Sequence, residues 1–222
     1  MIRAVLFDLD RTLLDRDTSF ADFARTQHAR FHTRLSGIDE AAFVDRLISL
    51  DARGAVWKDV VYQQLVDGFG LTGISWEELF ADFDARIAAH YIPFPGLSET
   101  LEELSRTYRL GLITNGRGEF QQRTLDALGI ADRFQVVLIS EIEGLRKPDP
   151  AIFHRALQRL SCEPAEAVYV GDHPEADVRA ARVAGLRAIW KRSDAFTAPE
   201  ADGIIDSLRE LPSLLLRLDH KP

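Results

Sequence analysis

The chain has 222 residues, 46% of them hydrophobic, a formal net charge of -8 and a single cysteine, Cys162. That length supports one sizeable core, or a core with a small companion domain. The acidic balance argues against nucleic acid or an anionic membrane as a partner, since both call for clustered Lys and Arg. One cysteine excludes an internal disulfide and fits a reducing, cytoplasmic setting.

The first element is the run Ala4-Val5-Leu6-Phe7, short, β-prone and apolar, which reads as a buried strand. It begins so early that no signal peptide is expected, and no apolar run approaches the ~20 residues of a membrane span. Asp8 and Asp10 follow the strand, one residue apart. Side chains two apart on a strand share a face, so a pattern carried past the strand end points both carboxylates into one volume. Like charges held there repel unless a cation or a shared proton neutralises them.

About eighty residues without a clear strand come next, too long for a structureless loop in a compact domain. Their apolar residues fall at helical spacing: Phe20, Phe23 and Ala24; Phe43, Leu47 and Ile48; Val60, Val61 and Leu65; Leu79, Phe80, Phe83 and Ile87. The spacing predicts a four- or five-helix insert over 16–93, whose aromatics form its own core. His28 and His32 sit four apart there with no acidic third ligand, and read as a polar face.

Helical and strand patterns then alternate. Helices are predicted over 97–108, 119–128, 151–160 and 175–184. Strands are predicted over 110–114, 135–139, 167–170 and 187–190, with a weaker one over 203–205. The alternation implies parallel strands with right-handed crossovers, and strands apolar almost throughout imply helices on both faces. The expected core is a doubly wound, Rossmann-like α/β domain built from 1–15 and 94–222, with its ligand at the carboxyl ends of the strands.

Chemistry-bearing residues cluster at those ends. Thr114 and Asn115 close one strand, Lys147 lies in the loop before Pro148, Gly171-Asp172 close another strand, and Asp177 follows Pro174. A strand-end Asp alone is often a helix cap, and a lone Lys is usually a solvated charge. All four elements in chain order, each at a strand end, point to one site.

The order Asp8-Leu9-Asp10-Arg11-Thr12, Thr114-Asn115, Lys147 and Gly171-Asp172 through Asp177 resembles the haloacid dehalogenase superfamily. The insert stands where members with a helical cap of the first type carry theirs. Leu112-Ile113-Thr114-Asn115-Gly116, followed by Gln122 and Arg123, resembles its small-molecule phosphatases, which act on nucleoside monophosphates or on sugar phosphates such as acylneuraminate 9-phosphate.

The resemblance implies that Asp8 is a nucleophile forming an aspartyl-phosphate and that Asp10 is the general acid and then the general base. It implies Mg2+ held by Asp8, the Asp10 carbonyl and Asp172, with Asp177 behind that shell. Thr114, the Asn115 backbone N–H and Lys147 are implied to hold the phosphoryl oxygens. The partner is then a small phosphate ester, and the enzyme a monomer or homodimer.

Arg11 departs from the small or polar residue usual at its place. It stands between a surface position and a substrate contact, as His173 stands between a cap and a substrate contact. Arg117, Glu143 and Arg146 are ambiguous in the same way. Competing readings are a 2-haloacid dehalogenase, a phosphomutase, and a phospho-accepting signalling module; the last has no use for the long insert.

Overall fold

The structure is a computed structural model that describes residues 1–219. Its organising element is the buried run β1 (Ala4–Phe7). It pairs in parallel with β2 (Arg109–Thr114) on one side and β4 (Ala167–Gly171) on the other, so that Phe7 lies between Leu112 and Val170. With β3 (Val136–Ile139), β5 (Arg187–Lys191) and β6 (Gly203–Ile205) they make a six-stranded parallel sheet of order β3-β2-β1-β4-β5-β6.

Alternation divides the strand residues between two apolar layers. Val5, Phe7, Leu110, Leu112, Val168 and Val170 face one layer with α5 (Leu97–Ser105) and α10 (Leu211–Asp219). Ala4, Leu6, Ile113, Ala167 and Tyr169 face the other with α8 (Pro150–Leu160). The core is therefore an α/β sheet covered on both sides, as strands apolar on both faces require. The strand order reverses between β1 and β4, and a crevice opens outside the carboxyl ends at such a switch point. Asp8 and Asp172 stand on either side of it.

The helix expected over 119–128 is α6 (Gly118–Ala127), and a short α7 (Ser140–Glu143) follows β3. The helix expected over 175–184 is not one regular helix. Pro174–Arg179 is wound as a π turn, in which the N–H groups of Asp177 and Val178 both donate to the His173 carbonyl at 3.0 and 3.2 Å. Only Ala180–Val183 is regular α-helix, α9. The wider turn inserts a residue, and such insertions concentrate at functional sites; here it carries Asp177 inward.

The chain divides into two compact units, 1–15 with 93–222, and 16–92. The second unit consists of α1 (Arg16–Arg30), α2 (Glu40–Asp51), α3 (Lys58–Phe69) and α4 (Trp76–Arg86), linked by short turns. Its centre is aromatic: Phe83 packs edge-on against Phe20 and Phe23, with ring centroids 6.1 and 5.4 Å apart. The buried Tyr62 hydroxyl donates to Gln27 Oε1 at 2.9 Å. His28 and His32 meet the backbone carbonyls of Ile38 and Ala29.

A second polar core lies in this unit. Arg16 donates to both oxygens of the buried Asp51 at 2.7 and 3.0 Å, and Lys58 donates to the same carboxylate. Burial alone would raise the Asp51 carboxyl, but the Arg16 and Lys58 charges outweigh it and hold it at about 2. Among the described residues, no helix is long and apolar enough to cross a membrane.

Candidate active site

The peptide that leaves β1 turns at once. The N–H groups of Thr12, Leu13 and Leu14 all point at the Leu9 carbonyl, and Arg11 takes a left-handed φ of 66°. The tight loop returns Thr12 beneath Asp8, where its hydroxyl donates to Asp8 Oδ2 at 3.1 Å. The other oxygen, Oδ1, accepts from Lys147 Nζ at 2.6 Å. Both Asp8 oxygens are thereby aimed, and Asp8 is 6% exposed.

Lys147 is 4% exposed and directs three hydrogen bonds: to Asp8 Oδ1, to Asp177 Oδ1 at 2.6 Å and to the Tyr169 hydroxyl at 2.8 Å. Its loop is fastened by Asn115, whose side-chain amide donates to the Lys147 carbonyl at 2.9 Å while its oxygen accepts the Lys147 N–H at 3.0 Å. The peptide between Lys147 and Pro148 is cis.

Asp177 reaches the cluster because β4 ends in glycine. A Cβ on Gly171 would meet Asp177 Cβ at 2.4 Å, so no other residue permits that approach without a shift. The second Asp177 oxygen accepts the His173 N–H at 3.0 Å.

The ligand atoms of Asp8, Asp172 and Asp177 lie within 4.8 Å of one another, all three residues buried. Three carboxylates face one ammonium, a formal balance of -3 plus 1, or -2. Burial, with the Asp177 and Asp172 charges, pushes the Asp8 carboxyl well above its ordinary range against the pull of Lys147. Burial alone would lower the Lys147 ammonium, but Asp177 and Asp8 more than reverse that and keep it charged. Excess buried negative charge with hard oxygen donors fits a divalent cation such as Mg2+ better than a soft metal.

Asp10 is turned another way, its Oδ2 accepting from Gln121 Nε2 at 3.3 Å. The same amide donates to Thr114 Oγ1 at 2.6 Å. Asp8, Asp10, Thr114, Asn115, Lys147, Asp172 and Asp177 thus meet at one rim of the sheet.

Of the residues left open between structural and substrate roles, Arg11 and His173 differ in place. Arg11 is half-buried in the loop after β1. His173 is exposed and caps the π turn, its Nδ1 accepting the N–H groups of Glu175 and Ala176 at 3.2 Å each. Glu143 is held by Arg155 and Arg159. Burial and Glu166 push the Cys162 thiol up, away from a reactive thiolate.

A family model described as haloacid dehalogenase-like hydrolase matches residues 5–191, which include the whole rim. The chain belongs to the haloacid dehalogenase-like hydrolases.

Two curated relatives of this haloacid dehalogenase-like hydrolase are phosphatases. A phosphoserine phosphatase of Thermus thermophilus is 34% identical over 72% of this chain and 64% of its own length, so the match spans just under two thirds of that relative. A glyceraldehyde 3-phosphate phosphatase of Methanopyrus kandleri is 30% identical over 98% of this chain and 99% of its own. The chain is a hydrolase of this phosphatase type. Among solved structures, a 2-haloacid dehalogenase of Pseudomonas syringae is 32% identical, with a TM-score of 0.66 over 98% of this chain and all of that one.

Three polar residues of the hydrolase site, Thr12, Tyr169 and Gln121, carry no role in the sequence reading. Thr12 and Tyr169 are buried and bonded to the cluster. Gln121 turns inward, whereas its neighbour Gln122, which bears part of the family resemblance, lies outside and donates to Asp126. Asn115 contributes a side-chain clamp besides its backbone. The one available signal was polarity inside an otherwise buried stretch, as at Tyr169 between Val168 and Val170.

Proposed function

We propose that this hydrolase is a Mg2+-dependent phosphomonoesterase. It acts on a small phosphate, such as a nucleoside monophosphate or a sugar phosphate, through an aspartyl-phosphate on Asp8. The observation that carries the reading is the balance at the switch point: three buried carboxylates against Lys147, with both Asp8 oxygens aimed by Lys147 and Thr12.

An Asp8 oxygen attacks phosphorus while the bond to the leaving oxygen breaks. Asp10 gives that oxygen a proton, and the alcohol departs. Water then attacks the phosphoryl group, Asp10 takes its proton, the bond to Asp8 breaks, and inorganic phosphate leaves. Lys147, the Thr114 hydroxyl and the Asn115 N–H hold the phosphoryl oxygens and offset their charge in the transition state. Mg2+ held by Asp8, the Asp10 carbonyl and Asp172, with Asp177 orienting that shell, would neutralise the excess negative charge and draw electrons from phosphorus. In this reading residues 1–15 and 94–222 carry the chemistry, and the helical insert over 16–93 selects the substrate, with Arg11 and His173 as candidate contacts.

A phosphate-release screen over nucleotides, sugar phosphates and phosphoserine, with Mg2+ and with EDTA, tests this. Release that requires Mg2+ supports it; no release from any ester refutes it.

The likeness to the Pseudomonas syringae dehalogenase favours a second reading, hydrolysis of a 2-haloacid through attack of Asp8 on carbon. The resemblance implies no metal and no second carboxylate at the Asp10 position for that chemistry, so Asp10 and Asp172 weigh toward phosphate. Halide release from 2-chloropropionate in EDTA would reverse the choice.

A further inference from the structure

Gln121 is a polar side chain, 2% exposed, at the end of the first turn of α6. One nitrogen, Nε2, donates to two groups at once: Thr114 Oγ1 at 2.6 Å and Asp10 Oδ2 at 3.3 Å. The amide is assigned with its nitrogen toward both groups, donating to each. The main chain leaves room for it: a Cβ on Gly116 would meet Gln121 Cγ at 2.7 Å and Cδ at 2.9 Å.

A buried amide costs ~1–3 kcal/mol in desolvation unless its bonds are made, and a packing residue at this helix position would be apolar. The amide's N–H groups instead run to groups on two separate segments, Asp10 in the loop after β1 and Thr114 at the end of β2. Because Gln121 donates into Thr114 Oγ1, the Thr114 proton is turned away from the amide and stays available to another acceptor. Because it donates to one Asp10 oxygen, it restrains the orientation of the Asp10 carboxyl.

We propose that Gln121 is a positioning residue that sets the orientation of both the Asp10 carboxyl and the Thr114 hydroxyl. This deepens the phosphomonoesterase reading and rests on it for its kinetic consequence, since Asp10 serves the leaving oxygen and Thr114 the phosphoryl group.

The test is Gln121→Met, which keeps the length and loses the donor, with p-nitrophenyl phosphate and an alkyl phosphate compared by kcat/KM in Mg2+. That ratio reports the steps through departure of the alcohol. An alkyl leaving group needs the Asp10 proton and an aryl one scarcely does. The expected losses are therefore unequal, ~100-fold for the alkyl ester and ~10-fold for the aryl ester, the range set by misaimed acid catalysis. A packing role would lower both equally, through a lower Tm.

A crystal structure of the variant supplies a readout free of turnover. The Asp10 and Thr114 side chains are expected to leave their parent rotamers. Unchanged rotamers, or equal losses within about twofold for the two esters, overturn the assignment. If the parent protein releases no phosphate from these esters or from any in the screen above, the phosphatase reading falls, and the rotamers alone then decide Gln121.

Discussion

Lys147→Met removes an ammonium while keeping most of its aliphatic length, and so isolates the charge at the centre of the site. In the parent, three hydrogen bonds run from Nζ, two of them to Asp8 and Asp177 at 2.6 Å. Losing one partner of a buried ion pair costs ~3–5 kcal/mol, because the other is left uncompensated.

Protonation sets the ceiling. A stranded carboxyl takes a proton once that is cheaper, and each pH unit above its ordinary value of 3.8 adds about 1.4 kcal/mol to the exchange. One carboxyl therefore limits the loss to about 5 kcal/mol near pH 7.5 and to about 1.6 kcal/mol near pH 5. The sign follows from linkage: the folded state binds more protons than the unfolded state in this range, so stability falls as pH rises. The variant is expected to lose about 3–5 kcal/mol near pH 7.5 and under about 2 kcal/mol near pH 5, read by urea unfolding in EDTA. A loss that is the same at both pH values, or below about 1 kcal/mol at the higher one, refutes the charge argument.

Gly171→Ala places a methyl where Asp177 Cβ stands 2.4 Å away. Overpacking of this kind costs ~1–3 kcal/mol, and displacement of Asp177 should cut kcat at least ~10-fold while Gly185→Ala, which strains a backbone at a φ of 88° away from the rim, leaves kcat near the parent's. In the helical unit, the Asp51 carboxyl is held at about 2 against an ordinary 3.8, so it adds stability that is complete above about pH 4 and is lost as pH falls through about 2. That amounts to about 2 kcal/mol. The stability difference between parent and Asp51→Asn should shrink by this amount between pH 4 and pH 2, followed by circular dichroism in urea; a constant difference would show that Arg16 and Lys58 do not set the shift.

The α/β core was legible because parallel strands buried on both faces must be apolar throughout, and runs such as 4–7 and 167–170 carry that signal without help from context. The rim was legible for a different reason: Asp8, Thr114 and Asp172 fall where an apolar strand run ends, so their position follows from the strands themselves. What periodicity does not encode is the partner of a buried polar side chain. Gln121 and Gln122 are identical in kind, and only the phase of α6, set by Leu125 packing into the core, turns the first inward. The Asn115 clamp depends on a loop some thirty residues away, at Lys147. The π turn after His173 was hidden as well, because its sequence matches the 3.6-residue period well enough to read as ordinary helix, and the inward turn of Asp177 is made possible by Gly171 on the preceding strand.

The central claim is that Asp8 becomes covalently phosphorylated. Rapid acid quench of the Mg2+-loaded protein during turnover of p-nitrophenyl phosphate, followed by mass spectrometry of the peptide that carries Asp8, reads this directly. The account predicts one added phosphoryl group on that peptide, absent in EDTA and in Asp8→Asn, which also releases no phosphate. Steady release of phosphate by Asp8→Asn, or a label on a different residue, would contradict it.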